Sequence, residues 1–110
     1  MTLKEKIGQL LIAGFNGTTP PKGLLSIIKK YQLGGVVLFK RNLVNPLQIA
    51  KLCDGLQKAS PHVPLFTCID HEGGRVNRLP KSFTVLPSQA TMGVCNSSQL
   101  SYAIGEIMAN

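Results

Sequence analysis

Pro64-Leu65-Phe66-Thr67-Cys68-Ile69-Asp70-His71-Glu72-Gly73-Gly74-Arg75 changes from an apolar run to a polar, glycine-bearing one at a single residue boundary, and that change decides how the chain is read. Pro64 to Ile69 is short, apolar and partly β-branched, which predicts a buried strand. Asp70 to Arg75 then lies in the loop at that strand's carboxyl end. Ligand sites in parallel α/β folds form beyond the carboxyl ends of strands, where a rigid scaffold holds polar groups. The decisive question is therefore whether the neighbouring sequence builds a parallel sheet.

Working back from Pro64, Gly35-Val36-Val37-Leu38-Phe39 is a second continuous apolar run, expected to be a strand covered on both faces, and polarity returns at Lys40-Arg41-Asn42. Asn45-Pro46 marks a helix start, with Asn as cap and Pro at the first helical position; Leu47, Ile49, Ala50, Leu52, Cys53 and Leu56 follow. That helix is expected to end at Ala59-Ser60-Pro61. Earlier still, Thr18-Thr19-Pro20-Pro21 is a loop that can cap a second helix, since proline is tolerated in the first turn; Leu24, Leu25, Ile27, Ile28 and Tyr31 supply that helix's apolar face, and it ends before Gly34-Gly35. Leu10 to Phe15, closed by Asn16-Gly17, reads as the tail of a helix or as a buried strand. Thr2 and Glu5 have capping-box spacing, and Leu3, Ile7, Leu10 and Leu11 recur at helical spacing, so a first helix is expected to start at Thr2. Beyond Arg75, a Pro-punctuated loop runs from Leu79 to Pro87, and a last helix is expected from about Asn96 to Ser98 onward. Strands alternating with helices imply right-handed βαβ units and a parallel sheet. The pattern does not separate an open doubly wound sheet from a barrel.

Composition bounds the rest. With 110 residues, 44% of them hydrophobic, there is apolar material for one folding unit. No run approaches the roughly 20 apolar residues of a spanning helix, so no membrane partner is expected. The start Met1-Thr2-Leu3-Lys4-Glu5-Lys6 lacks the apolar core of a secretory signal, which gives a cytoplasmic expectation. Cys53, Cys68 and Cys95 fit neither a disulfide framework nor a zinc site and are read as reduced, half-buried thiols. The net charge of +7 is spread over basic residues that never cluster beyond two, and only 5% of residues are aromatic. Solvated faces explain this better than nucleic-acid binding.

The loop after Ile69 carries the candidate chemistry. A carboxylate such as Asp70 can accept charge-assisted hydrogen bonds from vicinal hydroxyls, arginines in the same loop can donate to others, and Gly73-Gly74 let the backbone turn sharply. A plainer alternative stands beside this: Asp70 caps the turn, Glu72 pairs with Arg75 or Arg78, and the glycines satisfy a bend. Asp70, His71 and Glu72 do not read as metal ligands, because consecutive residues in extended chain point to opposite sides. Gly73-Gly74-Arg75 lacks the spacing of a phosphate loop, and Gly34-Gly35 precedes a strand instead of opening a helix. His62 reads as a surface residue, and Ser82, Ser88 and Cys68 have no evident base.

Four ordered blocks then carry a family resemblance. They are Ile7-Gly8-Gln9-Leu10 through Gly14-Phe15-Asn16-Gly17, Gly34-Gly35 through Asn42, Ile69-Asp70-His71-Glu72-Gly73-Gly74-Arg75-Val76-Asn77-Arg78-Leu79, and Phe83-Thr84-Val85-Leu86-Pro87-Ser88. In order and spacing they resemble the start of family 3 glycoside hydrolases of the β-N-acetylhexosaminidase type, with His71 standing where that family usually has glutamine. The resemblance implies a (β/α)8 TIM barrel, of which residues 1–110 would be the truncated N-terminal part, about three βα units with no second domain. It implies a retaining hydrolysis of terminal N-acetylglucosamine from muropeptides or related glycans, without cofactor or metal. Asp70 matches a position that binds hydroxyls of the terminal sugar and Arg78 a second substrate-binding position, while Glu72, Gly73, Gly74 and Arg75 match positions that shape the loop. The family's nucleophilic aspartate, and its acid/base histidine in a loop after a Lys-His pair, have no counterpart among Glu5, Asp54, Asp70, Glu72 and Glu106 or elsewhere in the chain. The chain alone is thus expected to hold part of a sugar site and no catalytic residue, with an N-acetylglucosamine-containing glycan and the remainder of the barrel as partners. The rival expectation is a noncatalytic module that binds glycan or protein through the same loop.

Overall fold

In the computed structural model, which describes residues 1–60 and 62–109, three short strands form one parallel sheet in the order β1-β2-β3. These are β1 (Ile12–Gly14), β2 (Gly35–Leu38) and β3 (Phe66–Ile69). The connecting helices are α1 (Leu3–Gly8) before β1, α2 (Lys22–Tyr31) between β1 and β2, and α3 (Pro46–Gln57) between β2 and β3. Then follow α4 (Gln89–Cys95) and α5 (Ser98–Ala109). The register pairs Ile12 with Gly35 and Gly35 with Phe66, so these three residues share one face of the sheet. Val36 and Leu38 point to the other, where α2 and α3 lie.

Burial follows that division. Val36 and Leu38 from β2, Leu24 and Ile28 from α2, and Leu52 and Leu56 from α3 meet in one apolar cluster completed by Phe15, Leu33, Ala59 and Leu65. Ile28, Val36, Leu52 and Leu56 are buried almost without remainder, so each contributes about 1.5–3 kcal/mol of transfer free energy. The opposite face is open at its flanks: Ile12 is 55% exposed and Phe66 74%. This corrects the expectation that the Phe66 run is buried. β3 is an edge strand whose residues are mostly exposed. β2, the central strand, comes near its expectation, with only Val37 half-buried.

The local signals worked where they act over three or four residues. Thr2 caps α1 as expected: its hydroxyl accepts from Glu5 N–H at 3.3 Å and its N–H donates to Glu5 Oε2 at 2.7 Å. Asn45 caps α3, its Oδ1 accepting from Gln48 N–H at 2.9 Å, with Pro46 at the first helical position. The ambiguous run after Leu10 resolves into β1. The loop before α2 supplies its cap, as expected, with Pro21 as the N-cap residue, one position ahead of the first turn and without a side-chain bond. The same helix stops on Gln32 in the left-handed region at φ 52°, two residues before the glycines. α3 ends at Gln57, whose side-chain amide pairs with both backbone groups of Leu65 (2.6 and 3.0 Å) and so ties the helix end to the approach of β3. Pro61, expected to help end that helix, lies outside the described residues. Cys53 and Cys68 are half-buried free thiols, but Cys95 is exposed, at the end of a helix that covers little.

α4 is the element the sequence reading lacks. Ser88 caps it by accepting from Thr91 N–H at 3.2 Å, and Asn96 ends it in the left-handed region at φ 43°. α5 follows where the last helix was expected but buries no residue. The molecule is accordingly long, 47 × 29 × 20 Å. No described helix is long and apolar enough to cross a membrane.

A site at the carboxyl edge of the sheet

All three strands run the same way, so the segments that follow Gly14, Leu38 and Ile69 gather at one edge. Two of these segments are joined by Asn42, which is completely buried. Its Nδ2 donates to Gly17 O at 2.7 Å and Phe15 O at 3.2 Å, and its Oδ1 accepts from Phe39 N–H at 2.8 Å. Arg41 adds a bond from Nε to Phe15 O at 3.2 Å while its guanidinium stacks 4.4 Å from the Phe39 ring centre. The Phe39 ring in turn lies where a side chain on Gly14 would be. Asn42 and Arg41 thus make the β1 and β2 ends one rigid shelf, a role the sequence reading missed. Polar residues directly after a buried strand were the available signal, but their partners lie 25 to 27 residues earlier.

Beside that shelf, the chain after β3 folds back on itself. Glu72 N–H donates to Val76 O at 3.2 Å, and Gly73 faces Val76 across an antiparallel bridge. Gly73 and Gly74 take φ of 77° and 55°, a region that costs a side chain strain. Each is also closely approached: a Cβ on Gly73 would strike the Pro87 carbonyl oxygen, and one on Gly74 would come within 2.7 Å of the Ser88 side chain. Gly74 N–H donates to Leu86 O at 2.9 Å, so the segment ending in Ser88 is laced against the turn. The side chains of Glu72 and Arg75 are exposed and form no ion pair among the described residues. The bend is therefore made by backbone and glycines.

Asp70 and Arg78 meet at the base of this turn. Arg78 Nη2 lies 3.0 Å from Asp70 Oδ2, and Arg78 Nε donates to the Asp70 carbonyl at 3.0 Å. The two side chains keep 48% and 35% of their surface. The plainer sequence alternative is thereby set aside at two points, since Asp70 holds Arg78 instead of capping the turn and Glu72 is not the arginine's partner. Asp70 Oδ1 has no hydrogen-bond partner among the described residues. The arrangement is an acceptor and a donor group fixed side by side and open to solvent, suited to a ligand bearing adjacent hydroxyls. His71 accepts from Arg78 N–H through Nδ1 at 3.2 Å. His62 is exposed, as its loop position suggested. No group of three or more His, Cys, Asp or Glu side chains among the described residues is placed to hold a metal ion.

A parallel α/β layer with its polar loops gathered beyond the strand ends defines a ligand-binding class of α/β proteins. Within that class the comparisons are specific. The model of the glycosyl hydrolase family 3 N-terminal domain matches residues 2–110, and the chain belongs to that family. A β-hexosaminidase of Alkalilimnicola ehrlichii is 32% identical over 106 residues, which are 91% of this chain and 30% of the relative. One from Thiobacillus denitrificans is 46% identical over 61 residues, covering 56% of this chain and 17% of the relative. Among solved structures, a glycoside hydrolase family 3 β-N-acetylglucosaminidase from Paenibacillus sp. superimposes with a TM-score of 0.91 at 40% identity, over 98% of this chain and 21% of that one. NagZ from Neisseria gonorrhoeae, solved with N-trifluoroacetyl-D-glucosamine, gives a TM-score of 0.73 at 27% identity over 88% of this chain and 30% of that one. The chain thus spans less than a third of each of these relatives.

Proposed function

We propose that this chain is the sugar-recognising opening segment of a β-N-acetylhexosaminidase, in which Asp70 and Arg78 bind hydroxyls of a terminal N-acetylglucosamine. The observation that carries the reading is the fixed, solvent-open Asp70–Arg78 pair at the carboxyl edge of a family 3 sheet. The free Asp70 Oδ1 accepts from one sugar hydroxyl, and the guanidinium donates to the oxygen of another. The glycine turn beneath them, with Glu72 and Arg75 at its rim, lets the ring approach the backbone.

In this reading the three strands are the first three of a (β/α)8 TIM barrel, and α1, α2 and α3 belong to its outer ring. The open sheet face with Ile12, Val37 and Phe66 turns toward the barrel axis, and the β1 and β3 edges pair with strands of the remaining barrel. Cleavage belongs to residues outside this chain. A retaining mechanism between carboxyl groups needs two of them about 5 Å apart, and here the Asp70 carboxylate is committed to Arg78 while Glu72 stands exposed at the rim. The proposed setting is cytoplasmic turnover of cell-wall muropeptides, which three free thiols support.

The test is a titration of the chain with N-acetylglucosamine followed by amide NMR. Shifts confined to residues near Asp70 and Arg78, abolished in Asp70→Ala and Arg78→Ala, are expected. The pair is exposed, so its loss should cost no more than about 1 kcal/mol of stability. Binding that survives both substitutions in folded protein would remove the assignment. Hydrolysis of a chromogenic N-acetylglucosaminide by the chain alone would overturn the division between recognition and cleavage.

A further inference from the structure

Arg78 is placed by its backbone as well as by Asp70, and the backbone contact is to an ionisable ring. His71 Nδ1 accepts from Arg78 N–H at 3.2 Å. An imidazole that accepts at Nδ1 carries its proton on Nε2. Nε2 is buried, with no partner among the described residues, and so does not compete for a second orientation. His71 and Arg78 close the open end of the turn whose other end is the Gly73–Val76 bridge. From that anchored backbone the guanidinium reaches both the carbonyl and the carboxylate of Asp70.

We propose that neutral His71 is a positioning residue for the Asp70–Arg78 sugar clamp, and that protonation of its ring releases the clamp. The proposal rests on the sugar-binding reading of that pair. An imidazolium has donors at both nitrogens. Its Nδ1–H would face the Arg78 N–H, donor against donor. The bond that sets the Arg78 backbone would be replaced by a repulsion. The loop itself carries Asp70, Glu72, Arg75 and Arg78, and the 79–88 segment laced against it carries only Lys81. β3 and α4 contribute none. Of these charges, the Asp70 carboxylate is already engaged by Arg78.

Two substitutions separate positioning from mere support. His71→Asn puts an amide oxygen the same number of bonds from the backbone as Nδ1, accepts the same hydrogen bond and does not titrate. His71→Leu keeps bulk and removes the acceptor. In the chain as it stands, long-range proton–nitrogen NMR should find His71 protonated at Nε2 at about pH 8, and the Arg78 amide should shift with the same midpoint as the ring when pH is lowered toward about 5. N-acetylglucosamine affinity should fall roughly three- to tenfold over that interval, the effect of one hydrogen bond. His71→Asn should bind equally at both ends, and His71→Leu weakly at both. If His71→Leu does not fold, the comparison of the unsubstituted chain with the His71→Asn variant across pH decides alone. The proposal is overturned by an Arg78 amide indifferent to His71 titration, or by the same pH-dependent loss of binding in His71→Asn. Should the sugar fail to bind at any pH while the Arg78 amide still follows His71, the positioning role stands and the sugar assignment falls.

Discussion

Replacing Asn42 by alanine tests whether the shelf beneath the site is held by one side chain. Asn42 is wholly buried and makes three hydrogen bonds, to Gly17 O, Phe15 O and Phe39 N–H. At a net value of about 1 kcal/mol each, their loss amounts to about 3 kcal/mol. Arg41 still serves Phe15 O, and Gly17 lies at the surface where water can replace the amide. The Phe39 N–H is the group left most exposed to the penalty of an unpaired donor, which can raise the cost toward about 4 kcal/mol. In urea, with a slope of about 1.5 kcal/mol per molar for a chain this size, the unfolding midpoint should fall by about 2 M while the slope stays unchanged. Circular dichroism and chemical denaturation read both quantities. Asn42→Asp refines the test: it keeps the acceptor for Phe39 N–H but turns a second oxygen toward two carbonyls, so it should be less stable than Asn42→Ala at neutral pH and recover on acidification as its carboxyl gains a proton. A loss below about 1 kcal/mol in Asn42→Ala, at constant slope, would refute the account of the shelf.

Gly34→Ala should cost roughly 3 kcal/mol or prevent folding, because the new Cβ would collide with the backbone of Gln9, an obstacle that cannot swing aside; thermal unfolding measures it. Glu5 titrates below its ordinary value of 4.5 because Thr2 N–H donates to its carboxylate. A carboxyl whose folded pKa is depressed stabilises above its unfolded pKa, and that contribution is lost as pH falls through the folded value. The first helix should therefore fray on acidification below about 4.5, visible as faster amide exchange at Glu5 and Lys6, and Glu5→Gln should weaken this dependence. Burial raises the Cys53 thiol above its usual pKa, whereas Cys95 is exposed, so a thiol reagent at neutral pH should label Cys95 first, and equal rates would contradict the packing of α3.

The sequence disclosed those parts of the fold whose causes are local. Thr2 with Glu5 and Asn45 with Pro46 act across three or four residues, and the structure has them as read. The β2 run was legible because its central place keeps it covered. The same reasoning overstated the burial of β3, since an apolar run tells what a strand can be packed against and not what covers it in a given chain. α4 escaped because Thr91, Gly93 and Cys95 dilute its helical pattern, although Ser88 is a good cap. α2 ends before Gly34-Gly35 as read, but the residue that stops it, Gln32, like Asn96 after α4, takes the left-handed conformation usually given to glycine and was not singled out. At the site, Asp70 and Arg78 were both named from the sequence, but their pairing needs the turn between them, and Asn42 acts on partners 25 to 27 residues away. Spacing along the chain carries no record of such contacts.

The strand order has a bearing on how the molecule is made. Since β2 pairs with β1 and β3 pairs with β2, within these three strands each one leaving the ribosome meets a neighbour already synthesised. With domains emerging amino terminus first at roughly 5–20 residues per second, the Asn42 shelf leaves the ribosome seconds ahead of the Asp70 turn. Assembly during synthesis can thus proceed in steps that follow the message, the recognition loop being laid onto a support that is already synthesised.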